Sequence, residues 1–365
     1  SGFIHPEDYG LAPGKTINLR LRAPDGTSLG AWFIFSEPVY RSQLSPPEFQ
    51  GDDKLLIQRA VSESPTLLFL HGNSGTRALP SRITIYTSLT SRLSVNVLAL
   101  DYRGFGDSEG QPTVPGVAMD ARTAWDWLTV EMGAKREDIV IVGHSLGTAI
   151  AGLLSAQLGT EGVNVKGVAL LAPFSSIKLL MDQYAILGVP LLKPLAKLPF
   201  VPRLLAETIA HNFDTLSQIP NIAAPVFIAH GLDDFDIPHT HADILFNAFL
   251  EPYLPSSLDV FTHSTSTALV LSDTTNLTKL HDSHVDWDTL TAAQATRAVH
   301  RERIVKRTEV PHFGVLHEFE APKMAVNDGL MSRRIALLKT QYGGHHVGRL
   351  EGVQDVFGRM FGLIP

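Results

Sequence analysis

The stretch IVIVGHSLGTAIAGLL, residues 139–154, decides the fold. Four branched apolar residues run straight into Gly143-His144-Ser145-Leu146-Gly147, and a segment rich in small residues follows. The first part predicts a buried strand and TAIAGLLSAQL predicts a helix. A strand, a tight turn and a helix around G-x-S-x-G form the context of a nucleophile elbow. The glycines have a mechanical reason, since in so tight a turn a side chain at 143 or 147 would strike neighbouring backbone. Ser145 then stands above the carboxyl edge of a sheet, where a helix N-terminus favours negative charge. The plainer alternative is a glycine-flanked serine in an ordinary strand-to-helix turn.

Outward from this stretch the same rhythm repeats. TLLFL (66–70), VNVLAL (95–100), DIVIVG (138–143), GVALLA (167–172), PVFIAH (225–230) and RIALLK (334–339) read as strands. They are continuously apolar, as strands covered on both faces are. Helical stretches lie near 77–93, 116–132, 146–158 and 239–250. This order predicts an α/β domain with a mostly parallel central sheet and right-handed crossovers. The opening differs: TINLRLRAPDGTSLGAWFIF (16–35) alternates around Asp25-Gly26, which predicts antiparallel N-terminal strands.

Two segments break the rhythm. Residues 174–215 contain LGVPLLKPLAKLPFVPRLL, leucine-rich and interrupted by prolines. They read as an apolar cap of short kinked helices. Residues 252–330 are polar and weakly periodic and read as a long insertion before the last strand. No internal repeat is present, and residues 1–365 read as one large domain carrying both.

A serine hydroxyl is a poor nucleophile until a base takes its proton, and the base needs an orienting acid. The elbow context calls for the order serine, acid, histidine. The strand PVFIAH ends at His230-Gly231, and Asp233, Asp234 and Asp236 follow. Asp234 is the candidate acid and Asp233 its rival, while Asp236 suits the cap of the helix after Pro238. After the last strand, Gly343-Gly344 lets the chain bend back and presents His345 and His346. His345 is the candidate base, with His346 as the alternative. His312 and His317 precede that strand and suit surface roles. An oxyanion needs two donors, and the backbone N–H groups of Leu146 and Asn73 (in HGNSGTR, after TLLFL) occupy the right loops.

LFLHGNSGTR, DYRGFGDSEGQPT, IVIVGHSLGTAIA, HGLDDFDIP and YGGHH occur in this order along the chain. Together they resemble the lysophosphatidylserine and monoacylglycerol lipases of the α/β-hydrolase superfamily. The likeness covers about 1–250 and 330–362. It implies the α/β-hydrolase fold, with Ser145, Asp234 and His345 as triad and Asn73 and Leu146 as oxyanion donors. Gly231, Asp234, Ile237 and Pro238 match the superfamily's spacing around its acid. Asp101 and Arg103 suit loop ion pairs rather than chemistry. The expected substrate is a small-molecule carboxylic ester, hydrophobic or lipid in character. Two departures stand out: no N-terminal membrane anchor precedes the hairpin, and the insertion before His345 is far longer.

Composition sets outer limits. Hydrophobic residues make up 44% and charged residues 18% of the chain, an ordinary globular mixture. A net charge of −7 provides no basic surface for nucleic acid. The absence of cysteine excludes disulfides, thiolate metal sites and a cysteine nucleophile. His281, Asp282, His284 and Asp286, and His239, His241 and Asp243, are spaced like partial metal ligands, but no third set joins them. No metal and no cofactor is expected, and no phosphate loop or dinucleotide fingerprint occurs. Membrane association is expected through the apolar cap or through an anchor cut away before Ser1-Gly2, which reads as a tag scar. An endomembrane location would follow from such an anchor, and a cytoplasmic one without it. The sequon at Asn276 is weak evidence for a secretory route. Two further readings use the same residues: an acyltransferase or cyclising enzyme, and a binding module on a hydrolase scaffold.

Overall fold

The structure is a computed structural model that describes residues 2–43, 52–177, 179–180, 185–186, 189–190, 213–255, 287–326 and 329–365. β1 (Thr16–Arg22) and β2 (Ser28–Ile34) form the expected hairpin, with Arg22 opposite Ser28. Gly26 sits at its tip with φ 86°, a left-handed turn that glycine adopts without strain. β3 (Thr66–Leu70), β4 (Asn96–Leu100), β5 (Ile139–His144) and β6 (Gly167–Leu171) follow at the expected apolar runs. β7 (Ala185–Ile186) and β8 (Val189–Pro190) pair antiparallel as a separate short ladder. β9 (Val226–Gly231), β10 (Lys306–Val310), β11 (Gly314–Val326) and β12 (Gly329–Thr340) complete the set.

Ten of these strands form one sheet in the order β1-β2-β4-β3-β5-β6-β9-β12-β11-β10. Neighbours from β4 to β12 run parallel, and antiparallel pairs flank them on both sides. Every residue of β3, β4 and β5 is buried. Their side chains alternate between two cores. Leu68, Leu70, Ile139 and Ile141 join the core containing the helix Leu146–Thr160. Leu67, Phe69, Val140 and Val142 join the core containing the helices Pro80–Arg92 and Glu351–Met360. Burying one such side chain contributes roughly 1.5–3 kcal/mol, which is why both faces are apolar between the strand ends. The topology also positions the site. From β3 the chain moves outward to β4, then returns to place β5 on the other side of β3. Loops diverging at such a reversal open a crevice at the carboxyl ends of the strands.

The antiparallel edge at β10 and β11 differs from the sequence expectation. Residues 306–326 belong to the stretch read as an insertion, yet they extend the main sheet, and β12 begins at Gly329 rather than 334. Their polar content suits an edge ladder that is solvated on one side. A helix, Trp287–Ile304, precedes them and is tied back by Arg297 to Glu251 and by Arg301 to Asn247. Residues 256–286, with the sequon and the histidines at 281 and 284, lie outside the described residues. So does most of the expected cap. Its two ends meet: Ile177 N–H donates to Phe213 O (3.1 Å) and Leu216 N–H to Ser175 O (3.0 Å). Among the described residues, no helix is long and apolar enough to cross a membrane.

Candidate active site

β5 delivers Ser145 with φ 53° and ψ −122°, a conformation that costs a side-chain-bearing residue of order 1–3 kcal/mol. Neighbouring bonds hold it there. Ser145 N–H donates to Leu171 O (2.9 Å), while Thr148 returns its N–H (2.9 Å) and its hydroxyl (2.6 Å) to Ser145 O. A Cβ on Gly143 would strike the Gly147 carbonyl, and one on Gly147 would strike that of Leu70. The two glycines are therefore demanded by close backbone approach. Leu146 opens the following helix, where the first N–H groups lack intrahelical acceptors.

Ser145 Oγ lies 2.8 Å from His345 Nε2, and His345 Nδ1 lies 3.0 Å from Asp234 Oδ2. These are one ring's two nitrogens, spanning loops after β5, β9 and β12. Asp234 is buried and multiply held. Its Oδ1 accepts the N–H groups of Asp236 (2.9 Å) and Ile237 (3.0 Å), and its Oδ2 also faces His230 Nε2 at 3.2 Å. Burial alone would raise its pKa. The His230 and His345 donors and the Ile237 N–H outweigh that and hold the carboxyl below its ordinary range.

The rival residues take other tasks. Asp233 Oδ1 accepts Gly344 N–H (2.8 Å), so it anchors the base loop without touching the base. His346 stacks on His144, with ring centres 5.6 Å apart. Asp236 does not cap the next helix, which starts at Thr240 behind His239 without a side-chain cap. Its carboxylate instead stands near those of Asp234 and the His345 ring, all ligand atoms within 4.8 Å. His241, one of the spaced histidines, is occupied by Ser175, whose N–H donates to its Nδ1 (3.3 Å). Asp101 pairs with Arg77 (2.6 Å), and Arg103 bridges Asp120 and Asp25 (2.7 Å each).

Three supporting residues escaped the sequence reading. His144 Nε2–H donates to His345 O (2.7 Å), which fixes the backbone carrying the base. His230 Nε2 lies 3.0 Å from Ile237 O, so it must be the protonated nitrogen, and it presents the same proton side to Asp234. Arg82 reaches from its helix to the loop after β3, donating to the carbonyls of Gly72, Ser74 and Thr76. That loop runs beside the serine: a Cβ on Gly72 would come within 2.9 Å of Ser145 Cβ. No local motif marks these residues, because each acts across a distance that only the fold closes.

Buried neutral histidines also predict a pH dependence of stability. Burial, then the neighbouring His345, hold His144 down to about 3; burial, then His230, hold His241 down to about 4. Unfolded, each titrates near 6.5. Between these values the unfolded chain binds more protons, so stability is full above pH 6.5 and is lost as pH falls. From pH 7 to pH 5 the loss is about 2 kcal/mol for each histidine. Urea unfolding should show a lower midpoint at pH 5, and equal midpoints would contradict buried neutral imidazoles.

Lysophosphatidylserine lipase ABHD12 of Danio rerio is 32% identical to this chain over 234 residues, covering 64% of the chain and 58% of that protein. Protein ABHD12B of Homo sapiens is 29% identical over 242 residues, covering 65% and 63%. The chain thus spans about six tenths of the length of these curated relatives. Among solved structures, the Pyrococcus furiosus esterase Pf2001 aligns with a TM-score of 0.47 and 18% identity, over 68% of this chain and 80% of that one. A profile described as alpha/beta hydrolase family matches residues 67–328, from β3 through the elbow and the acid loop, ending before His345. With well over half of its length matched, this chain belongs to the alpha/beta hydrolase family.

Proposed function

We propose that this chain is a serine hydrolase that cleaves carboxylic esters of hydrophobic or lipid substrates through an acyl-enzyme. One observation carries the reading: a single imidazole joins Ser145 Oγ at 2.8 Å to the buried Asp234 carboxylate at 3.0 Å. His345 Nε2 takes the hydroxyl proton as Ser145 Oγ attacks the carbonyl carbon. The carbonyl oxygen becomes an oxyanion and receives the N–H groups of Asn73 and Leu146. Asp234 holds the imidazolium in place. His345 then gives its proton to the departing alcohol, leaving Ser145 acylated. Water, deprotonated by His345, attacks the acyl carbon; the bond to Ser145 Oγ breaks, His345 returns the proton to Oγ, and the carboxylic acid leaves.

The lipid preference draws on two supports. The relatives include proteins named lysophosphatidylserine lipases. The segment 174–215, between the elbow and the acid, is rich in leucine and proline, a composition suited to an acyl chain. Association with a membrane surface, where such esters reside, belongs to the same proposal. The test follows fatty-acid release from monoacylglycerols, lysophospholipids and short soluble esters. The expected result is a higher kcat/KM for long single-chain esters. Cleavage of short esters alone would remove the lipid part, and cleavage of none would remove the hydrolase reading.

A further inference from the structure

We propose that Arg82 is a positioning residue of the oxyanion hole: its guanidinium orients and polarises the Gly72–Asn73 peptide so that Asn73 N–H is aimed at the developing oxyanion. This rests on the serine-hydrolase reading of Ser145 and Asn73. Arg82 lies in the helix Pro80–Arg92 and is 5% exposed. Its Nη1 donates to Thr76 O (2.7 Å), and its Nη2 donates to Ser74 O (2.8 Å) and Gly72 O (3.0 Å). Arg77 and Arg103, the other buried arginines of these loops, each hold carboxylates. Among the described residues Arg82 pairs with no carboxylate and donates instead to three carbonyls.

The decisive bond is to Gly72 O. A trans peptide is planar, with its C=O and N–H pointing in opposite directions. Gly72 O and Asn73 N–H belong to one such unit. On the carbonyl side stand Arg82 Nη2 and, at 2.8 Å, His71 Nδ1. The N–H must therefore face away from the guanidinium. Gly72 itself passes beside the nucleophile, since a Cβ there would meet Ser145 Cβ and the His144 carbonyl. The rest of the grip deals with a strained turn: Ser74 and Gly75 both have positive φ, 64° and 68°. Arg82 binds the carbonyls on either side of that turn, so one side chain sets the whole path from Gly72 to Thr76.

Charge adds to geometry. A hydrogen bond from a cation is about twice as strong as a neutral one, and a carbonyl so polarised makes its own peptide N–H a better donor. A buried guanidinium without a carboxylate partner interacts more favourably with an oxyanion than with a neutral ester carbonyl. That difference between ground state and transition state is what raises kcat.

The test compares wild type, Arg82→Met and Arg82→Lys. Two quantities are read: steady-state kinetics on an ester substrate, and the ionisation of the hemiketal that Ser145 forms with a carbon-13-labelled trifluoromethyl ketone. Arg82→Met should lower kcat about 10- to 100-fold with KM nearly unchanged. It should also raise the pKa of the hemiketal oxygen by about one unit. Arg82→Lys keeps the charge but not the three-way grip, so it should lower kcat about tenfold with a smaller shift of the hemiketal pKa. A folded Arg82→Met with an unmoved hemiketal pKa would overturn the inference, even if its kcat fell. If Arg82→Met does not fold, Arg82→Lys with wild-type kcat and hemiketal pKa overturns it alone. A wild type that forms no hemiketal at Ser145 overturns the hydrolase reading and takes this inference with it.

Discussion

Ser145→Ala should lower ester turnover about 10⁵- to 10⁶-fold and leave the fold in place. The change removes one oxygen, whose partner is His345 Nε2 at 2.8 Å. Everything that sets the elbow remains, because Ser145 N–H bonds Leu171 O and Thr148 bonds Ser145 O through the backbone. The cost of φ 53° is shared by serine and alanine, so the melting temperature should barely move. His345→Ala should lose a similar factor, and the double variant should be no worse than either alone. Residues that act as one unit are not additive in this way. Purified Ser145→Ala that still turns over ester at a comparable rate would remove Ser145 from the chemistry.

Asp234→Asn should cost about 10⁴-fold in kcat through a proton on the wrong nitrogen. Asp234 presents two different faces. Oδ1 accepts two backbone N–H groups, from Asp236 and Ile237, and Oδ2 meets His345 Nδ1 and His230 Nε2. An asparagine can satisfy the first face only by placing its oxygen there. Its NH₂ then confronts His230, whose Nε2 is held as a donor by the Ile237 carbonyl. It also donates to His345 Nδ1, which leaves the proton on Nε2 and unable to accept one from Ser145. Turning the amide over sets its NH₂ against two backbone N–H groups instead. Both orientations bury an unsatisfied donor, at a cost of about 1–3 kcal/mol in stability. The measurement is kcat together with the urea midpoint, and wild-type values for both would contradict the assigned geometry.

How much of this was legible in the residues depends on the range of the interaction. The elbow was readable because its strand, turn and helix are contiguous in sequence, although the backbone that demands Gly147 is that of Leu70 on β3. The buried strands were readable because β3, β4 and β5 are covered on both faces and so carry polar residues only at their ends, at Thr66, Asn96 and His144. β10 and β11 were not, because a solvated edge ladder mixes Lys306, Thr308, His317 and Glu318 among its apolar positions. The helix Asp53–Glu63, capped by Asp52, was also passed over. At the site, neighbours in sequence could only be ranked. Asp233 from Asp234, and His345 from His346, separate once the loop after β12 lies over the loop after β9. No pattern in the sequence singles out Arg82. Its role arises because that helix packs under the loop that precedes it, bringing the guanidinium to three carbonyls.

The central claim is that Ser145 is an activated nucleophile. The direct measurement is labelling with a fluorophosphonate probe, followed by peptide mass spectrometry on protein shown to be folded. One adduct is expected, on Ser145, absent from Ser145→Ala and slower to form in Asp234→Asn. A folded wild type with no adduct, or with its adduct on another serine while Ser145 stays free, would contradict it.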